Sequence, residues 1–134
     1  MTLKRKIMLP TRAELRILRV LWDLGQATVE QVVSHPQSAP RPNYKTIQTL
    51  LRIMEQKGFV RHVNRGRVFV FVPRVSRDEV GKLSVRNLLE QNFGGSSSEL
   101  LVNLLEANPV DESELEQLES LIRNYRVQRR ESAR

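Results

Sequence analysis

NYKTIQTLLRIMEQKGFVRHVNRGRVFVF, residues 43–71, is the stretch whose reading decides the fold. It divides into a helical segment over 43–57, a stop at Gly58, and a strand–turn–strand hairpin over 59–72. At about 100° per residue, Ile47, Leu50, Leu51 and Met54 share one helix face. The opposite face carries Lys45, Thr49, Arg52 and Gln56, with Gln48 on its shoulder and no carboxylate at its centre. The turn Asn64-Arg65-Gly66-Arg67 places two guanidinium groups around a glycine. A polar, cationic helix face followed by a basic-tipped hairpin is the pattern of a winged helix-turn-helix that reads DNA.

Upstream, Thr11-Arg12-Ala13-Glu14 is a capping box, followed by Leu15, Leu18, Leu21 and Trp22 at helical spacing. Gly25 is placed to end that helix in the left-handed conformation. A second box, Thr28-Val29-Glu30-Gln31, opens a short helix carrying Val32 and Val33 that cannot pass Pro36. Residues 35–42 hold three prolines and read as a loop or extended linker, and Asn43 is the N-cap of the third helix.

Downstream, Ser76-Arg77-Asp78-Glu79 begins a helix to about residue 92, with Val80, Leu83, Leu88 and Leu89 as its apolar set. Gly94-Gly95 interrupts it. Ser96 and Glu99 cap a short helix, LLVNLL over 100–105, that is apolar nearly all round and therefore must be buried. Asp111 starts a last helix with Leu115, Leu118, Ile122 and Tyr125 at heptad spacing. Three short helices can hardly make a self-sufficient core. The economical solution is a symmetric dimer, with Leu88, Leu101, Leu104, Leu105, Leu118 and Ile122 as dimerisation residues. Folding back onto the winged domain is the alternative. The charged tail, 126–134, is expected to fray. The fold class is thus mainly α. A winged helix-turn-helix of three helices and a β-hairpin wing occupies 1–75, and a helical dimerisation domain 76–134.

Charge divides along the same line. Residues 1–75 hold fourteen Lys/Arg against four Asp/Glu, whereas 76–134 hold eight against eleven. A basic half that meets a polyanion fits this split, although a ribosome, an acidic membrane or mere solubility would fit the charge as well. No run is long and apolar enough to span a membrane, and MTLKRKIMLP has no apolar core of a signal peptide, so the expected location is cytoplasmic. With no cysteine there is no disulfide framework, thiolate metal site or cysteine nucleophile. His35 and His62 lack a carboxylate at metal-ligand spacing and read as lone surface histidines. No Ser/His/Asp constellation and no phosphate-cradling loop is visible, so neither an enzyme nor a cofactor or metal is expected.

The positive signal is a DNA-binding surface. The first turns of a helix in the major groove reach base edges, which here means Lys45, Thr46, Gln48, Thr49 and Arg52. Tyr44 can give its hydroxyl to a phosphate, and Arg12, Arg65 and Arg67 suit backbone or minor groove. A winged-helix module that uses the same face for another protein, without sequence-specific DNA binding, is the alternative. The absence of acids at the centre of the face favours DNA.

These residues resemble the penicillinase-repressor family, the BlaI/MecI-type transcriptional repressors. The resemblance runs from about Leu9 to Tyr125 and is carried by PTRAELRILRVLW, NYKTIQTLLRIMEQKGFV and NRGRVFVFVPRVSRDE. It implies an N-terminal winged helix, a C-terminal helical dimerisation region, and repression from a palindromic operator. It also implies release through cleavage by a membrane-bound sensor-protease that detects β-lactams, at an Asn–Phe bond in the short apolar helix. The matching pair here is Asn103-Leu104, in which the asparagine is kept and the aromatic is not. A copper-responsive branch of the family uses C-terminal cysteines, which this chain lacks.

Overall fold

A computed structural model describes residues 8–38 and 43–133 of the chain. Eight elements follow one another: α1 (Arg12–Leu24), α2 (Val29–Ser34), α3 (Tyr44–Lys57), β1 (Val60–Arg65), β2 (Val68–Pro73), α4 (Arg77–Phe93), α5 (Ser97–Ala107) and α6 (Glu112–Ser132). The architecture is a winged helix-turn-helix followed by a helical region. Residues 1–87 and 88–134 form two compact units that divide within α4, about three turns beyond the boundary read from the sequence. Residues 39–42, which hold two of the three linker prolines, lie outside the described residues.

Local sequence chemistry sets the helix ends. Thr11 Oγ1 accepts from the Glu14 N–H at 3.2 Å, and the Glu14 carboxylate accepts from the Thr11 N–H at 2.8 Å. The same reciprocal bonds join Thr28 to Gln31 and Ser76 to Glu79. At the end of α3, Gly58 is left-handed at φ 88°, ψ 13°. Its N–H donates to Glu55 O, and the Phe59 N–H donates back to Met54 O at 2.9 Å. This closing pair turns the chain sharply from helix to wing and drives Phe59 into the core. Gly25 ends α1 differently from the left-handed expectation: φ is 85° but ψ is −44°.

The core of the first unit joins Ile17, Leu18, Val20 and Leu21 of α1 to Val29 and Val32 of α2, to Ile47, Leu51 and Met54 of α3, and to Phe59, Val60 and Phe71 at the wing root. Each such aliphatic side chain contributes about 1.5–3 kcal/mol on full burial. β1 and β2 pair antiparallel with Arg65 opposite Val68, so the turn is the two residues Gly66-Arg67. Asn64 and Arg65, read from sequence as turn residues, belong to β1. Gly66 has φ 66° while Arg67 keeps a negative φ, the signature of a type II′ hairpin. A bridge that the sequence did not announce ties Ala27 to Phe71 through two backbone bonds of 3.0 and 2.7 Å.

Two further ties hold the first unit together. Trp22 Nε1 donates to Val75 O at 2.9 Å, and the Arg77 guanidinium lies 5.3 Å from the Trp22 ring, which fixes the start of α4 beside α1. Glu14 is only 1% exposed, and its carboxylate accepts from Lys57 Nζ at 2.9 and 3.1 Å across 43 residues of chain. Burial alone would raise the Glu14 pKa. The Thr11 N–H and the Lys57 ammonium outweigh it and hold the carboxyl below its usual value.

In the second unit, Ser96 and Asp111 cap α5 and α6 as expected. No residue of the nearly all-round apolar α5 is buried within the single chain, and none of α6. One expectation is corrected: the charged tail is helical through Ser132 instead of frayed. Its Arg and Glu residues are good helix formers, and Arg129 and Arg130 sit where the negative end of the helix dipole favours cations.

Candidate nucleic-acid interface

The interface starts at the N-terminus of α3. Asn43 Oδ1 accepts from the Lys45 and Thr46 N–H groups at 2.9 and 3.4 Å, which sets the phase of the helix. In that phase Ile47, Leu51 and Met54 are buried, Leu50 packs on the core edge, and Lys45, Thr46, Gln48, Thr49 and Arg52 are exposed. Thr49 Oγ1 donates to Lys45 O at 2.9 Å, so its hydroxyl proton is used inside the helix and its methyl is free for apolar contact. Tyr44 is 53% exposed.

The structure brings some of the candidate residues together and not others. Tyr44, Gln48 and Arg52 line one open cleft with Arg67 of the wing turn, floored by Val29, Phe69 and Phe71. Lys45, Thr46 and Thr49 border a separate shallow hollow with Asn43 and Leu50. Arg12, the first residue of α1, and Arg65, the last of β1, are exposed but line neither. Two carboxylates also line the cleft, Glu30 and Glu55. Glu55 is engaged: its Oε2 accepts from the His62 N–H at 2.9 Å and from the imidazole Nδ1 at 2.6 Å.

The lone-histidine reading is therefore corrected for both residues. His62 has Glu55, and His35 Nε2 lies 2.9 Å from Asp23 Oδ2. The partners come from other elements, seven and twelve residues away in sequence, and each His–carboxylate pair is a two-membered contact. Among the described residues no group of three or more His, Cys, Asp or Glu converges as a metal site.

In the second unit, Leu88, Leu101, Leu104, Leu105 and Ile122 are all exposed, from 36% at Leu101 to 49% at Ile122, and Leu118 is half-buried. Asn103 and Leu104 sit in the middle of α5, where Asn103 Nδ2 donates to Glu99 O at 2.8 Å.

With this geometry in view, the comparisons with known proteins are decisive for the family. The family model described as penicillinase repressor matches residues 10–124. The chain belongs to the penicillinase repressor family. It is 24% identical over 127 residues to the penicillinase repressor of Bacillus licheniformis, covering 95% of this chain and 99% of that one. It is 21% identical over 110 residues to the methicillin resistance regulatory protein MecI of Staphylococcus aureus (strain N315), covering 82% of this chain and 89% of that one. This family member is accordingly a transcriptional repressor of the BlaI/MecI type and not an enzyme. No helix among the described residues is long and apolar enough to cross a membrane.

Proposed function

We propose that the chain is a homodimeric repressor that docks α3 of each protomer in the major groove of a palindromic operator, with the wing on the adjacent backbone or minor groove. The observation that carries this reading is the exposure of Lys45, Gln48, Thr49 and Arg52 on α3, opposite a stripe buried at Ile47, Leu51 and Met54. Arg or Lys suits guanine N7 and O6, Gln suits adenine, and the free Thr49 methyl suits thymine. Tyr44, Thr46, Arg12, Arg65 and Arg67 supply phosphate contacts or further base contacts at the margins.

The exposed leucines of α5, with Leu88, Leu118 and Ile122, support an interface between two copies, because such apolar area is stabilised by leaving water. The relatives' names, a penicillinase repressor and a methicillin resistance regulatory protein, support control of a β-lactam resistance function, and a cytoplasmic location goes with the DNA-binding role. Release then follows cleavage of the Asn103-Leu104 bond by a membrane-bound sensor-protease that responds to a β-lactam or another cell-wall signal. Cutting α5 removes dimerisation energy, and the two-point grip on DNA weakens with it.

Replacing Lys45 or Arg52 by Ala tests the reading head. Each change should cost about 1–3 kcal/mol and relax preference at one base position. A loss equal on all sequences, with a shallower salt dependence, would reassign that residue to phosphate.

A further inference from the structure

A two-stranded hairpin is marginally ordered on its own. Here it must hold its tip in place, since Arg65, Gly66 and Arg67 are all exposed. The root is fixed by the Ala27–Phe71 bridge, which anchors β2 to the segment between α1 and α2. A second anchor lies on the same rung, at His62 opposite Phe71, and reaches outward through Phe69. Glu55, in the last turns of α3, accepts from both the backbone N–H and the Nδ1–H of His62 on β1. Because a carboxylate only accepts, the geometry assigns the imidazole proton to Nδ1. The oriented ring then stacks on Phe69 of β2, with centroids 4.3 Å apart and planes at 17°. Phe69 is 51% exposed and pairs with Asn64, one rung inside the last pair, Arg65 with Val68. Its cover comes from His62, not from the core.

We propose that Glu55, His62 and Phe69 are positioning residues, a clamp that ties the recognition helix to the outer half of the wing and aims Arg65 and Arg67 at DNA. The inference rests on the reading of the wing as a DNA contact. The clamp runs from helix carboxylate to strand imidazole to the facing strand's aromatic ring, so it joins all three pieces that move independently in an unanchored hairpin. With the wing ordered before DNA arrives, binding does not have to bear that ordering cost. It also occupies the Glu55 carboxylate, which lines the same cleft as Arg52, one helical turn earlier on α3.

The test is a double-mutant cycle on full-length protein, read as affinity for a duplex carrying the sequence that the protein enriches from genomic fragments. The Arg65→Ala/Arg67→Ala protein should bind about tenfold more weakly, with a shallower salt slope. Glu55→Ala should lose several-fold by itself and nothing further once both arginines are gone. Combined with Lys45→Ala, it should multiply. His62→Leu, which still covers Phe69, should reproduce Glu55→Ala, whereas Glu55→Gln, whose amide oxygen still accepts, should restore most of the affinity. A Glu55→Ala loss that multiplies with the arginine loss overturns the clamp, as does a silent Glu55→Ala. Silent arginine changes would overturn the wing reading itself, and the clamp with it.

Discussion

The two units of this chain treat their apolar side chains in opposite ways. In residues 1–87, Leu18, Leu21, Leu51, Met54 and Phe59 are sealed from solvent by one another. In residues 88–134 no residue of α5 or α6 is buried, and Leu104, Leu105, Ile122 and Tyr125 lie open along two helices. Composition does not explain the difference, because α5 is richer in leucine than α1 or α3. Topology does. The first unit brings three helices and a hairpin around a common centre, whereas α5 and α6 together offer too little surface to enclose a core. A stable first unit and a second unit completed by another copy is the reading that reconciles the two.

The largest effect expected from breaking the contrast lies in the first unit. Phe59→Ala removes a ring at the junction of α3 and β1 and should cost about 3–5 kcal/mol. Thermal unfolding should show that loss equally at low and high protein concentration. Leu104→Asp, by contrast, should weaken the proposed dimer by about 2–4 kcal/mol and yield monomers in sedimentation, with the unfolding of the first unit unchanged. An undiminished dimer would place the interface elsewhere.

A smaller effect sharpens the account of Glu14, the one buried charge among the described residues. Lys57→Met leaves Glu14 without its cation and should cost about 1–3 kcal/mol at neutral pH. Glu14 has a folded pKa below its unfolded value, so its stabilisation is present above the unfolded pKa and fades as pH falls through the folded one. The gap between native and Lys57→Met stabilities should therefore narrow in acid, where a neutral Glu14 has no need of a cation. A gap constant with pH would mean that Lys57 acts through packing alone.

Sequence revealed what is local. Thr11 with Glu14, Thr28 with Gln31 and Ser76 with Glu79 are joined across three residues, and each box marks a helix start found in the structure. The phase of α3 was equally legible, because its buried and exposed faces repeat every turn. Contacts between elements left no periodic trace. Glu14 meets Lys57 across 43 residues and Trp22 meets Val75 across 53, and nothing in either neighbourhood marks the partner. The Ala27 bridge was hidden for a different reason, since one paired residue makes no strand pattern. His62 looks solitary in sequence because Glu55 lies on the far side of the α3 stop, and only the sharp turn at Gly58 folds the strand back beside it. The exposure of α5 was illegible in a single chain's sequence, because an apolar helix looks the same whether its cover is its own domain or a second copy.

The most direct measurement is selection of genomic fragments by the full-length protein at physiological salt. The enriched sequence should be an inverted repeat whose half-sites are centred about one helical turn apart or a multiple of it, because each α3 needs its own major-groove window on one side of the duplex. Replacing Leu104 by Asp should abolish that enrichment while leaving weak, salt-sensitive binding to any duplex. Enrichment of a single unrepeated site, or none above random DNA, would contradict a dimeric reader built on α3.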